Sequence, residues 1–199
     1  IGREAARLLV LSGHTVWGMA RRADALMQLE TELGPTRFHP LVGDVSKPAD
    51  VQAVLAALTA AEVVLDAVIL NAAVMQPDTT PDYSHAVASQ VFATNVDGAL
   101  RLVDGLLPKF RARGSGQFIA VASTSAFRPA PSAGSLPARK AALAMAFRGL
   151  RLRYPPPGIQ FKIIYFGPVA TAIIPAYTTA NGKPKYWFVM SAAAASKKL

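Results

Sequence analysis

The sequence predicts an α/β protein: an open, doubly wound parallel sheet with helices on both faces, in three α/β/α layers. Three observations carry this. Short apolar runs of β type alternate with longer stretches at helical spacing along most of the chain. One run, Val63–Leu70, is apolar except for Asp66, as a strand buried on both faces requires. No internal repeat or low-complexity linker breaks the alternation. A length of 199 residues with 52% hydrophobic composition fits a single domain, residues 1–199, with a sizeable core.

The elements follow in order. Gly2–Leu11 is predicted as a helix, with Ala5, Leu8, Leu9 and Leu11 on its apolar side. Thr15–Ala20 is a strand. Ala23–Leu33 is a helix that Gly34-Pro35 stops. Phe38–Val42 is a strand, and Ala49–Ala61 a helix with Val51, Val54, Leu55 and Leu58 at helical spacing. Val63–Leu70 is the next strand. His85–Arg111 reads as one long helix, kinked near Pro108. Gln117–Ala122 is a strand, Leu136–Tyr154 a helix and Gln160–Phe166 a strand. The pattern then loosens over Thr171–Met190, and Ser191 stands as the N-cap of a last helix. The alternation starts and stops on a helix, and position 1 is not Met. The expectation is a longer gene product, with strands beyond both ends.

Composition narrows the function. The absence of cysteine excludes disulfides, thiolate metal sites and cysteine nucleophiles, and is compatible with a reducing, cytoplasmic setting. The net charge of +9 and pI near 10.2 raise nucleic acid as a partner. The basic residues are scattered, however, with no run of five like charges and no aromatic platform, so no nucleic-acid binding is expected. No apolar stretch approaches the ~20 residues of a membrane span. Ile1–Leu8 already reads as helix, so no signal peptide is expected there. His14, His39 and His85 are dispersed, and no metal site is predicted.

Several residues stand where this architecture places ligands. Ile1-Gly2 precedes a helix, as the last glycine of a phosphate-cradling turn does; one glycine alone is weak. Arg21 and Arg22 close the second strand, facing the adenosine ribose in such folds. An acid there binds a 2′-hydroxyl and an arginine accommodates a 2′-phosphate, so NADP(H) is favoured over NAD(H). The alternative is a solvated strand end. Asp44, followed by Val45, either accepts from an adenine amino group or starts a turn. Asn71, Ala72 and Ala73 end a strand, and the small residues leave room for a cofactor or simply form a turn. Asn95 lies inside the long helix, where asparagine is a poor helix former. Ser123 ends a strand at the carboxyl edge, where open α/β sheets bind ligands. Lys140, alone, reads as a solvated helix lysine.

In this order and spacing the set resembles the short-chain dehydrogenase/reductase family, over essentially the whole chain. Ile1-Gly2 matches the end of its TGxxxGIG turn, Asp44-Val45 its adenine-side Asp, and Asn71-Ala72-Ala73 its NAG strand end, with Ala73 for Gly. Asn95 matches its helix Asn. Ala122-Ser123, with Phe127-Arg128-Pro129-Ala130-Pro131 after it, resembles its serine segment. Lys140-Ala141-Ala142-Leu143 matches the end of YxxxKAAL. Gly167-Pro168-Val169-Ala170-Thr171 matches its PGxVxT nicotinamide loop, with Phe166 for the leading Pro. Pro184 to Met190-Ser191 looks like a lid of bacterial members.

The resemblance implies a Rossmann-type fold and hydride transfer between NADP(H) and a carbonyl or alcohol. It implies that Ser123 binds the substrate oxygen, Lys140 holds the nicotinamide ribose, and Asn95 anchors a water of the proton relay. Gly167, Val169 and Thr171 would contact the nicotinamide. The family's proton donor is a tyrosine four residues before the lysine. Here that position, thirteen after Ser123 and four before Lys140, is Leu136. None of the five tyrosines has a lysine four residues later. Arg139, beside Lys140, also departs from the small residue the family favours. The leading expectation is therefore a cytoplasmic carbonyl reductase or alcohol dehydrogenase, impaired by Leu136. The alternative is a nucleotide-binding pseudoenzyme acting through protein contacts. A homodimer or homotetramer is implied, with a lid over 171–190 whose Tyr177, Tyr186, Trp187 and Phe188 point to an apolar carbonyl substrate.

Overall fold

A computed structural model describes residues 1–75, 84–127, 135–171, 179, 181, 183–184 and 186–199, with positions 135 and 136 described by backbone alone. Tyr83, Tyr177, the Arg128–Pro131 segment and most of the expected lid lie outside the described residues. Every strand pairing among the described residues is parallel, and helices alternate with strands, so the chain is α/β. Two compact units are described in turn: Ile1–Asp44 with Gly167–Leu199, and Val45–Phe166.

The first unit holds α1 (Gly2–Leu11), β1 (Val16–Ala20), α2 (Ala23–Leu33) and β2 (Phe38–Val42). α2 ends where predicted, because Gly34 takes φ 86°, a conformation that side-chain-bearing residues avoid. β1 and β2 pair from Val16↔Phe38 to Ala20↔Val42. The register sets Trp17 opposite His39, and their rings stack at 4.3 Å. Ala6, Leu26, Leu29 and Phe38 form the buried cluster, with Val16, Ala20 and Leu33 against it. Gly18 lets the ring of Phe38 lie on the strand, for a Cβ there would come within 2.5 Å of it.

Two short strands sequence patterning did not reveal, β6 (Val169–Ala170) and β7 (Met190–Ser191), pair in the same unit. Ser191 then caps the last helix as predicted, its hydroxyl accepting from the Ala194 amide at 3.1 Å. In order along the chain this helix is α7 (Ala192–Ser196).

The second unit holds α3 (Pro48–Ala60), β3 (Ala67–Leu70), α4 (His85–Phe92), a π-helical segment (Ala93–Asp97), α5 (Gly98–Arg113), β4 (Gly116–Ser123), a 3₁₀ turn (Thr124–Phe127), α6 (Ser135–Arg153) and β5 (Ile159–Phe166). β4 is central in the order β3-β4-β5. It pairs with β5 along its full length, from Gly116↔Ile159 to Ser123↔Phe166. Phe118 to Ala122 are all buried, as a central strand covered on both faces must be. Phe118 meets Phe110 of α5 at 4.9 Å and Phe161 of β5 at 5.2 Å, and Phe161 meets Phe147 of α6 at 5.7 Å. Each such buried phenylalanine contributes about 1.5–3 kcal/mol of transfer free energy.

Two predicted elements change here. β3 begins at Ala67, not at Val63: pairing starts at Ala67↔Gln117, and Val64 is 71% exposed. The long helix predicted over His85–Arg111 is interrupted at Ala93–Asp97 by the π segment. Pro108 is accommodated inside α5.

Candidate active site

The carboxyl end of β4 gathers two of the three sequence-predicted catalytic groups. Ser123 is the last residue of the strand. Its Oγ accepts from the Ser125 amide at 3.2 Å, in a local turn of the kind short hydroxyl side chains make. That bond fixes the oxygen and leaves the hydroxyl proton free to donate. Lys140 lies in α6, and its Nζ donates to the Val121 carbonyl at 2.9 Å, two residues before Ser123. An ammonium carries three protons, so two remain for other acceptors. Burial lowers the Lys140 pKa, and the nearby charge of Arg139 lowers it further, to about 8. The solvated helix lysine is thus excluded: this amine is drawn inward onto the strand edge.

Asn95 is 2% exposed, so the solvent-facing alternative is excluded too. Its Oδ1 accepts from the Val74 amide at 2.8 Å, and its Nδ2 donates to the Val74 carbonyl at 3.0 Å. The carboxamide clamps the π segment to the loop that leaves β3. The poor helix former thus marks a real break in the α-helical ladder, and π segments recur at functional sites for such reasons. α6 packs against both the π segment and the 3₁₀ turn, which joins the three residues through neighbouring elements. Asn71, Ala72 and Ala73 follow β3, with Ala72 exposed beyond the strand end. Val45 is buried and touches Gly98, the first residue of α5.

The first unit holds the other predicted cofactor residues. Gly2 opens α1. Arg21 lies 3.8 Å from Asp44 and keeps 62% of its side chain exposed, while Arg22 is exposed at the start of α2. Such an open pair contributes about 0–1 kcal/mol, which leaves Arg21 available to a stronger anion. Gly167 is exposed, Val169 is buried in β6, and Thr171 is partly buried.

Position 136 falls one helical turn before Lys140 on α6. The described tyrosines of this unit do not replace the missing phenol. Tyr165 stacks near Phe127 at 4.7 Å and its hydroxyl accepts from Arg148 at 3.3 Å. Tyr154 lies under Arg153, 5.7 Å from the ring centre. Neither hydroxyl bonds Lys140, Ser123 or Asn95.

Sequence reasoning missed the partners that position these groups. Val74 and Val121 act through backbone atoms and leave no signature in side-chain identity. Arg139 stood out only as a large residue in a small residue's place, and in the structure it is 2% exposed.

A sequence model described as "short chain dehydrogenase" matches residues 1–181. The chain belongs to the short-chain dehydrogenase family. Members of this family are oxidoreductases that use NAD(P). An uncharacterised oxidoreductase of Staphylococcus haemolyticus is 30% identical over 171 residues, which span 86% of this chain and 74% of the relative. The crystal structure of a short-chain dehydrogenase from Streptomyces avermitilis is 30% identical with TM-score 0.80, over 86% of this chain and 63% of that one. The L-sorbose reductase of Gluconobacter frateurii, solved with NADPH and L-sorbose, is 26% identical with TM-score 0.79, over 85% of this chain and 65% of that one. The chain therefore spans somewhat less than two thirds of those two structures. The parallel α/β architecture is the Rossmann type that they share.

Proposed function

We propose that the protein is an NADP(H)-dependent carbonyl reductase or alcohol dehydrogenase whose proton-transfer step is impaired. The single observation that carries this is the Lys140 amine anchored to the Val121 carbonyl, two residues before Ser123 at the carboxyl end of β4. A solvated lysine and a turn serine would have no reason to converge there.

The cofactor's donor set fits the residues present. In the first unit Arg21 and Arg22 would offer charge to a 2′-phosphate and Asp44 would accept from an adenine amino group; in the second, exposed Ala72 follows the end of β3. Gly2, Asn71, Ala73, Val45, Gly167, Val169 and Thr171 complete the set. The solved NADPH complex of a 26% identical relative supports the same preference over NAD(H). A bound nicotinamide supplies hydride to the substrate carbonyl. The Ser123 hydroxyl donates to the carbonyl oxygen and orients it. Lys140 holds ribose hydroxyls with its two uncommitted protons. The Asn95 clamp fixes the π segment on which α6 rests. No phenol stands at position 136, and a positioned acid of that kind contributes typically 10²–10⁴-fold.

Exposed Tyr186, Trp187 and Phe188, whose rings lie 5.4–5.8 Å apart, support an apolar substrate body. Exposed Met145 and Leu152 on α6 support association of identical copies. No described helix is long and apolar enough to cross a membrane, in keeping with a cytoplasmic setting.

Leu136 favours a second reading, a nucleotide-binding pseudoenzyme. Fluorescence titration of the complete protein with NADPH and NADH, followed by a turnover panel of apolar ketones and aldehydes, tests both. The first reading expects NADPH to bind at least tenfold tighter than NADH, with slow but measurable turnover. Binding with no turnover leaves the pseudoenzyme. Absence of NADPH binding contradicts both.

A further inference from the structure

Two buried polar atoms of the second unit have no hydrogen-bond partner among the described residues: Arg139 Nε and Ser125 Oγ. Buried polar groups are almost always satisfied, so two such donors in one region call for a physical reason. Arg139 is 2% exposed, among the largest fully buried side chains, and makes no ion pair with a described residue. A buried guanidinium with an unmet Nε–H and no ion-pair partner among the described residues is unfavourable, and apolar residues of similar size do better at such sites. Stability therefore does not explain it.

Their placement does. Ser125 comes two residues after Ser123, in the 3₁₀ turn that continues β4. Arg139 immediately precedes Lys140 in α6, and α6 packs against that turn. Each unpartnered donor thus sits beside one of the two residues assigned to the carbonyl and the ribose. Positions 136, 139 and 140 also share one face of the helix by i, i+3, i+4 spacing.

The chemistry selects the ligand. One fixed positive charge with an unpartnered Nε–H, plus one hydroxyl, suits two oxygens sharing a single negative charge. That is a carboxylate. A phosphate dianion asks for a second cation, and the remaining protons of neighbouring Lys140 are assigned to the ribose.

We propose that Arg139 and Ser125 form a subsite for the carboxylate of an oxo acid or hydroxy acid with an apolar body, bound with its carbonyl at Ser123. This rests on the reading of Ser123 and Lys140 given above and names the substrate class of that site.

Calorimetric titration of the complete, NADP⁺-loaded protein tests it with a matched pair, 2-oxo-4-phenylbutanoate and its ethyl ester, and with inorganic phosphate as a third arm. The acid is expected to bind about 30-fold more tightly than the ester, the scale of a charge-assisted hydrogen-bond pair. Arg139→Met should bring that ratio to about one with the ester's affinity unchanged, and Ser125→Ala should lower it about three- to tenfold. Without ligand, Arg139→Met should melt no lower than the parent, an outcome an arginine retained for stability would not give. Arg139→Lys, which keeps the charge without the fork, should lower the ratio about tenfold and serves if the Met variant does not fold. Equal binding of acid and ester by the parent, or discrimination that survives in both Arg139 variants, overturns the proposal. So does phosphate binding that depends equally on Arg139. NADPH affinity is read separately, so its loss in the parent defeats the reductase reading and not this subsite alone.

Discussion

At Lys140 the inward placement on which the proposed site rests has a measurable effect on stability. Burial and the charge of Arg139 push its folded pKa down to about 8 from 10.5. The folded state therefore gives up this proton before the unfolded state does. Between about pH 8 and 10.5 the unfolded chain binds more protons, and by linkage the stability contribution of this residue rises with pH. Below pH 8 the penalty is fully present and flat. Urea midpoints at pH 7.5 and 9.5 should show the parent gaining on Lys140→Met over that interval; a constant difference would contradict the placement. Single residues were unevenly legible in the sequence. Ser123, Lys140 and Asn95 were singled out only as an ordered set through the family resemblance, since each alone reads as an ordinary polar residue. Arg139 did not show its burial, because a charged residue beside a helical lysine ordinarily faces water. The backbone acceptors at Val74 and Val121 are invisible to any reading of side chains.

Among the elements, the π segment shows where patterning stops being informative. The apolar period continues through Ala93–Asp97, so the sequence gives one long helix. The change of ladder depends on the contact of Asn95 with Val74 and on the close approach of Gly98 to Val45. A Cβ on Gly98 would meet Val45 Cγ2 at 2.7 Å and its backbone oxygen at 2.9 Å. Gly98→Ala should therefore destabilise by about 1–3 kcal/mol, as overpacking does, although alanine favours helix elsewhere. Chemical denaturation measures it, and a stabilised variant would contradict the contact. β3 illustrates the opposite error. Val63 and Val64 extend an apolar run, but pairing with β4 begins at Ala67. Hydrophobicity alone does not say where a strand partner starts. α1, α2 and β2 were read to their boundaries: Gly34 stops α2 and Phe38 of β2 joins the unit's core, but on α1 it is Ala6 that joins the core cluster, while Leu11, expected on the apolar side, is 78% exposed.

For the molecule as a whole, the alternation of strands and helices was enough to give the fold class, since helical crossovers between parallel strands leave few arrangements. Assembly is written less plainly. Met145 and Leu152 are 63% and 83% exposed at i, i+7 spacing on α6, a face suited to a second copy. Light scattering of the complete protein should give a dimer or tetramer, and Met145→Glu with Leu152→Glu should shift it to monomer; an unchanged mass would place the interface elsewhere. The central claim is that this chain keeps the positioning groups of a reductase and lacks its proton donor at Leu136. The most direct measurement is the kcat for NADPH-dependent carbonyl reduction by Leu136→Tyr beside the parent. A rise of about 10²-fold or more is predicted, the contribution of a restored general acid. An unchanged kcat in a folded, NADPH-binding variant would contradict the account.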